Sequence, residues 1–259
     1  MSTSIIIAIP AWLAVAGGGI VGALVGSFIG AALVRMPAGR SVVRGRSACD
    51  SCGARLGAGE LVPLVSFALQ RGKCRRCGAG IDPQQFAAEA GGALVGTVSA
   101  MALDDGAAMI WAALLGWQLL LLGLLDLRHF WLPNRLTALL AISGLAHGLW
   151  LYGATKGLLF EVLAGGALGF SGLWLVALSY RRLRGREGLG GGDAKLLGAI
   201  GLWIGPVGVV STLLGGSLIA LVAAVAMLVA GRKIGAQTAL PLGSALALAG
   251  WMVALLSGL

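Results

Sequence analysis

The chain has 259 residues, of which 58% are hydrophobic and only 11% are charged. A soluble domain carries roughly 25% charged residues, so the composition excludes an ordinary soluble enzyme. The apolar runs are continuous and long, which predicts an all-α polytopic membrane protein. The 44 glycines indicate close contacts between membrane helices through small residues. A net charge of +9 can indicate nucleic-acid binding, but the positions of the basic residues argue otherwise.

The first predicted span runs from Ile5 to Val34, and the first charged residue, Arg35, follows it. A cleavable signal peptide carries its positive residues before the apolar stretch, so we expect an uncleaved span with its N-terminus outside. Seven further predicted spans bring the total to about eight: Phe86–Leu103, Ala107–Leu125, Leu136–Tyr152, Leu158–Tyr180, Leu196–Gly208, Val209–Ala230 and Ala239–Leu256.

Nearly all basic residues fall in loops on the same side of the membrane in this predicted topology. The loops after the first, third, fifth and seventh spans hold nine, two, five and two lysines or arginines, which is eighteen of the 19 in the chain. Lys156 falls on the other side. The positive-inside rule assigns the eighteen to the cytoplasm and therefore both termini to the outside. We expect the lipid bilayer, and no nucleic acid, to be the partner that explains the charge.

The polar segment between the first two spans, residues 35–85, contains all four cysteines. They form two pairs, Cys49-Asp-Ser-Cys52 and Cys74-Arg-Arg-Cys77. Two Cys-x-x-Cys pairs can make a closed tetrahedral site, which predicts a structural Zn²⁺ in a small cytoplasmic loop domain. Two disulfides or four free thiols are the alternatives, and a reducing cytoplasm disfavours the disulfides.

Two acids lie at the ends of apolar segments. Asp126 ends the run Trp117–Leu125, and Asp193 follows a run of glycines and opens the segment Leu196–Gly208. Placing a carboxylate in hydrocarbon costs free energy, so such a residue usually has a partner or a function. The predicted topology puts both acids on the cytoplasmic side. We therefore predict a carboxylate pair. The alternative is that Asp193 is an ordinary helix cap after a glycine-rich turn.

Several motifs, taken together and in order, resemble those of the prepilin peptidases, the type IV prepilin leader peptidases. They are Gly26-Ser27-Phe28 through Arg35-Met36-Pro37, the paired Cys-x-x-Cys loop, Asp126 with Leu132-Pro133-Asn134, Gly190-Gly191-Gly192-Asp193 with Lys195-Leu196, and Leu240-Pro241-Leu242-Gly243. The last motif departs from the family pattern at Leu242 and Ser244, where Phe and Pro are usual.

The resemblance implies an aspartic endopeptidase of the bacterial inner membrane, with Asp126 and Asp193 as the catalytic pair. Gly190, Gly192 and Lys195 would be motif residues close to the substrate. The substrate would be a prepilin or pseudopilin of a type IV pilus or type II secretion system, cut at its short basic leader on the cytoplasmic side. Two carboxylates at close approach share one proton, so the ionised one can activate water while the protonated one polarises the scissile carbonyl.

The loop segment suggests two additional roles. Its acids are candidate contacts for the basic leader: Asp50, Glu60, Asp82 and Glu89. Bifunctional members of the family also methylate the new N-terminus with S-adenosylmethionine, and the cysteine loop links this chain to them.

We divide the chain into a first span (1–34), a four-cysteine zinc loop domain (35–85) and a membrane-embedded peptidase domain (86–259). The main alternative function is a polytopic transporter with intramembrane acids, but such acids should lie near mid-span. A membrane-anchored zinc module that only binds partners would leave both aspartates unexplained.

Overall fold

The computed structural model describes residues 10–152, 156–185, 188–232 and 240–259. Within these ranges the secondary structure is helical, apart from two isolated β-bridges in the cysteine loop. This confirms the all-α prediction. The predicted starts of the first and last spans, Ile5 and Ala239, lie outside the described residues, as do Arg186 and Lys233 of the charge count.

Eight α-helices carry the described fold. They are α1 (Ala11–Arg35), α2 (Val65–Leu69), α3 (Pro83–Ala102), α4 (Gly106–His129), α5 (Asn134–Tyr152), α6 (Lys156–Arg184), α7 (Gly191–Val229) and α8 (Leu242–Leu256). Local chemistry sets several starts. Asp82 accepts a hydrogen bond from the N–H of Gln84 at the start of α3, and Asp105 accepts one from the N–H of Ala108 at the start of α4.

Helix α7 contains two of the predicted spans. Gly205, with φ 67° and ψ −176°, interrupts the helical backbone, and Pro206 follows it. A positive φ suits glycine, and proline has no N–H to donate, so this pair divides the helix. The sequence prediction placed the division at Gly208, three residues later. The first half begins at Gly191, directly in the glycine-rich turn.

Four described helices are long and apolar enough to cross a membrane: Ala11–Arg35, Gly106–His129, Leu159–Arg184 and Gly191–Val229. Helix α8 is also apolar but has only 15 residues. The helices therefore support a polytopic membrane protein, whereas the total of about eight spans remains a prediction.

The chain forms two compact units, Met1–Ala113 and Leu114–Leu259. In the first, α1 packs on α3 through glycines. A Cβ atom added to Gly18 would lie 2.5 Å from the carbonyl oxygen of Gly96, and one added to Gly22 would overlap the carbonyl oxygen of Gly92. The predicted close contact of helices through small residues is confirmed where α1 packs on α3.

In the second unit, α7 is packed by three other helices. Gly165 of α6 and Gly201 of α7 approach so closely that neither position has room for a Cβ atom. The indole N–H of Trp203 on α7 donates to the carbonyl of Leu140 on α5 at 2.9 Å. Helix α8 packs on α7 and contacts α4 at Gly123. This packing brings the end of α4 and the starts of α5, α7 and α8 around one cleft.

Candidate active site and candidate metal centre

The two predicted acids meet in the second unit. Asp126 lies in the last turn of α4 with 5% of its surface exposed, and Asp193 is the third residue of α7 with 8% exposed. Both line a cleft of about 660 Å³, and their carboxyl groups are close enough to interact electrostatically. The structure thus brings Asp126 and Asp193 to one cleft, and their role as a catalytic pair stays a prediction.

The backbone at the end of α4 and at the start of α7 places the two acids at the cleft. After Asp126, α4 ends at His129, and the φ of 50° at the next residue, Phe130, turns the chain towards α5. On the other side, Gly190 is the N-cap of α7 and makes no side-chain capping bond. Asp193 is therefore not the N-cap residue that the alternative interpretation required.

Ser244, the third residue of α8, holds the carboxyl group of Asp126. Its backbone N–H donates to Oδ2 of Asp126 at 2.7 Å, and its hydroxyl oxygen lies 3.0 Å from the same atom. The hydroxyl also lies 2.8 Å from the carbonyl oxygen of Gly123, one turn earlier on α4. Sequence reasoning noted Ser244 only as a departure from a motif and missed this contact. The available signal was that residue 244 is not proline and so has an N–H to donate.

The motif residues Gly190, Gly192 and Lys195 also line the cleft. A Cβ atom on Gly192 would lie 3.1 Å from Cβ of Leu132, so this glycine lets α7 approach the segment that enters α5. The ammonium of Lys195 donates to Oδ1 of Asn134 at 2.9 Å, which joins the starts of α7 and α5. Asn134 was part of a recognised motif but was not predicted as a site residue.

The four cysteines gather in the first unit. Their sulfur atoms all lie within 4.8 Å of one another, and Sγ of Cys49 is 3.9 Å from Sγ of Cys77. A tetrahedral zinc site with Zn–S bonds of about 2.3 Å has sulfurs about 3.8 Å apart, so the cluster fits such a site. No disulfide joins any of the four cysteines in the structure. The cluster can hold a metal ion.

The two Cys-x-x-Cys pairs have the same backbone turn. In each, the N–H of the first cysteine donates to the carbonyl of the residue five positions later, and the glycine after the second cysteine donates back to the first. Gly53 and Gly78 occupy that position with φ of 70° and 73°. A positive φ suits glycine, and each turn presents two sulfurs to the same point.

The thiols differ in acidity. Backbone N–H groups of Cys52 and Ser51 hydrogen-bond the Cys49 sulfur and lower the pKa of this thiol to about 6. The backbone N–H of Ala79 also acts to lower the pKa of Cys77, but desolvation and the three neighbouring thiol groups outweigh it and raise this pKa to about 11. One thiolate thus forms readily, while further thiolates repel it unless a cation is present.

A second cavity, of about 320 Å³, adjoins the cysteine cluster within the first unit. Its lining includes all four acids that were predicted as leader contacts, Asp50, Glu60, Asp82 and Glu89. Glu89 is 5% exposed, and its two oxygens accept from the N–H of Leu64 at 2.7 Å and from the amide of Gln85 at 2.9 Å. The structure brings these acids together, and Glu89 ties the loop to α3.

These features define a class of protein: a multi-pass helical membrane protein with a paired-carboxylate cleft and a four-thiol cluster. Residues 20–103 match the bacterial peptidase A24 N-terminal domain, and residues 113–225 match the type IV leader peptidase family. The chain belongs to the type IV leader peptidase family, which confirms the resemblance seen in its motifs. It is accordingly a multi-pass protein of the bacterial inner membrane.

Similar proteins cover most of the chain. A prepilin leader peptidase/N-methyltransferase of Aeromonas salmonicida is 36% identical over 213 residues, which is 82% of this chain and 72% of that protein. One of Pseudomonas aeruginosa is 33% identical over 266 residues, covering 92% of this chain and 89% of its own length. One of Dichelobacter nodosus is 31% identical over 206 residues, with 80% and 69% covered. No solved structure matches the chain significantly.

Proposed function

We propose that this protein is a membrane aspartic endopeptidase that removes the short basic leader of prepilins or pseudopilins on the cytoplasmic side of the inner membrane. The observation that carries the proposal is the meeting of Asp126 and Asp193 in one cleft. The relatives are named prepilin leader peptidases, which supports this choice of substrate. They give no support to the transporter alternative.

The chemistry follows from the two carboxyl groups. The ionised member of the pair takes a proton from water, and the resulting hydroxide attacks the scissile carbonyl carbon. The protonated member donates a hydrogen bond to the carbonyl oxygen and stabilises the charge that develops there. Collapse of the tetrahedral intermediate breaks the C–N bond, and a carboxyl proton passes to the leaving amine. In this scheme Gly190, Gly192 and Lys195 form the wall of the cleft that faces the substrate chain.

We propose that Cys49, Cys52, Cys74 and Cys77 bind one Zn²⁺ that orders the loop domain. Four thiolates leave no open coordination position, so the metal has a structural role. We also propose a division into a first span (1–34), a zinc loop domain (35–85) and a peptidase domain (86–259). The distribution of the basic residues supports a cytoplasmic loop with both termini in the periplasm.

We also propose a second activity, N-methylation of the new N-terminus with S-adenosylmethionine. The names of the relatives include N-methyltransferase, and the cavity beside the cysteine cluster has a volume of about 320 Å³, within the usual range for small-ligand sites. Its lining contains four acids and one arginine, Arg35, and this acidic excess favours cationic groups, which include the sulfonium of the methyl donor and the basic leader.

One assay tests both activities. The purified protein is incubated with a full-length prepilin and labelled S-adenosylmethionine, and leader removal and methyl transfer are followed together. We expect cleavage at the junction between the basic leader and the apolar helix, followed by label on the new N-terminus. An intact substrate with the parental protein would contradict the peptidase proposal, and cleavage without label would contradict the second activity alone.

A further inference from the structure

Asp126 is held by a residue that lies 118 positions later in the chain. Ser244 contributes two groups to Oδ2 of Asp126, its backbone N–H at 2.7 Å and its hydroxyl oxygen at 3.0 Å. Asp126 itself is 5% exposed, so water offers little competition for this contact. A hydrogen bond to a charged group in such a setting is stronger than one between neutral groups.

The helix geometry explains why the N–H is available. Ser244 is the third residue of α8, and the first four N–H groups of a helix have no partner within the helix. The preceding N-cap, Pro241, makes no side-chain capping bond. The N–H of Ser244 therefore points out of the helix end towards the carboxyl group of Asp126. A proline at position 244 would fit the first helical turn but would lack this donor.

The hydroxyl of Ser244 can form a hydrogen bond with Asp126 whether this side chain is ionised or protonated. Its single proton can be donated to Oδ2 of Asp126 or to the carbonyl of Gly123, which lies 2.8 Å away. The backbone N–H has no such choice, because it can only donate. Oδ2 therefore accepts the backbone N–H of Ser244 in either charge state, which favours Oδ1 as the oxygen that carries the catalytic proton.

We infer that Ser244 is a positioning residue for the peptidase reaction: it fixes Oδ2 of Asp126 and leaves Oδ1 as the oxygen that exchanges protons with water or substrate. This inference rests on the proposed peptidase function. Ser244 acts through Asp126 and is not itself a catalytic residue. The same side chain also ties α8 to α4, since its hydroxyl reaches Gly123.

The test compares Ser244→Ala, which keeps the N–H and loses the hydroxyl, with Ser244→Thr, which keeps both donors. Cleavage of prepilin is measured over a range of substrate concentrations. We expect kcat of Ser244→Ala to fall about tenfold with KM unchanged, as for the loss of one hydrogen bond to a charged group. Ser244→Thr should restore most of the parental kcat. Ser211→Ala, which removes a hydroxyl bonded only within α7, is the matched control and should cleave normally.

A Ser244→Ala protein with the parental kcat would overturn the inference, and so would a change confined to KM. These outcomes differ from failure of the proposed function, in which the parental protein itself leaves prepilin uncut.

Discussion

A Cβ atom added to Gly243 would lie 2.9 Å from Oδ2 and 3.0 Å from Cγ of Asp126. The start of α8 and the end of α4 are thus in direct contact at a residue with no side chain. Real Cβ atoms essentially never come as close as 2.9 Å to another heavy atom, so with a larger residue at position 243 either the carboxyl group or the start of α8 must shift. This contact leads to the first prediction.

Gly243→Ala should lower kcat for prepilin cleavage by about tenfold, because relieving the 2.9 Å contact takes a shift of a few tenths of an ångström and a displacement of about 1 Å at a reacting group can cost about 100-fold. Leader removal by the purified variant measures the effect. Gly172→Ala is the control, since a Cβ atom there meets nothing within 4 Å. Equal kcat values for Gly243→Ala and the parental protein would show that Asp126 tolerates displacement or takes no part in cleavage.

The side of the membrane on which the two aspartates lie could be predicted from the sequence, because apolar runs, basic residues and glycine-rich turns can be recognised along the chain. Long apolar runs and the count of basic residues assigned both acids to one side, and the glycine-rich turn marked the start of α7. The four-thiol cluster could be predicted for a similar reason, since each Cys-x-x-Cys turn is local. Each of these signals can be read along the chain without knowing how distant helices pack.

The contacts that hold Asp126 could not be predicted in this way. Ser244 and Gly243 reach Asp126 across more than a hundred residues, and which atoms meet depends on how α4 and α8 pack. The kink in α7 was also misplaced by three residues, although Gly205-Pro206 carries the signal for it. The apolar run continues on both sides of the break and does not by itself mark its position.

The second prediction concerns the pair as a unit. Asp126→Asn and Asp193→Asn keep the size of the side chain and remove its ability to exchange a proton. Each should lower cleavage by a factor of about 1,000 or more, and the double variant should be little worse, because residues that act together have non-additive effects. Both variants should still insert into the membrane.

Asp104→Asn and Asp105→Asn are the controls for this experiment. Both acids are exposed and lie outside the second unit, at the start of α4. A well-inserted Asp193→Asn protein that removes leaders at the parental rate would end the aspartic-peptidase proposal.

The third prediction concerns the metal. Elemental analysis of the purified protein should find about one zinc per chain, as for a four-thiolate site. Replacing Cys49, Cys52, Cys74 and Cys77 by serine should remove it. Cleavage should survive this change better than the folding of the loop, because both aspartates belong to the other compact unit. Zinc retained by the four-serine variant would place the metal elsewhere.

A single substitution of a turn glycine tests the same metal site without removing a cysteine. Gly78→Ala puts a side chain at φ 73°, which costs roughly 1–2 kcal/mol for an L-residue. Zinc should therefore be lost to a chelator faster than from the parental protein. Gly80→Ala is the matched control, because Gly80 has an ordinary φ and open space around it. Equal rates of zinc loss from both variants would show that the turn geometry does not support the metal site.

The last prediction is topological. Because eighteen of the 19 lysines and arginines fall in alternate predicted loops, the cysteine loop should be cytoplasmic and both termini periplasmic. A phosphatase reporter, which is active only in the periplasm, should be inactive when fused after Gly80 and active when fused after Leu259. A fluorescent reporter that folds only in the cytoplasm should give the reverse pattern at the same two positions. If both fusion points report the same side, the chain crosses the membrane an even number of times between them, and the proposed cytoplasmic loop with a periplasmic C-terminus is wrong.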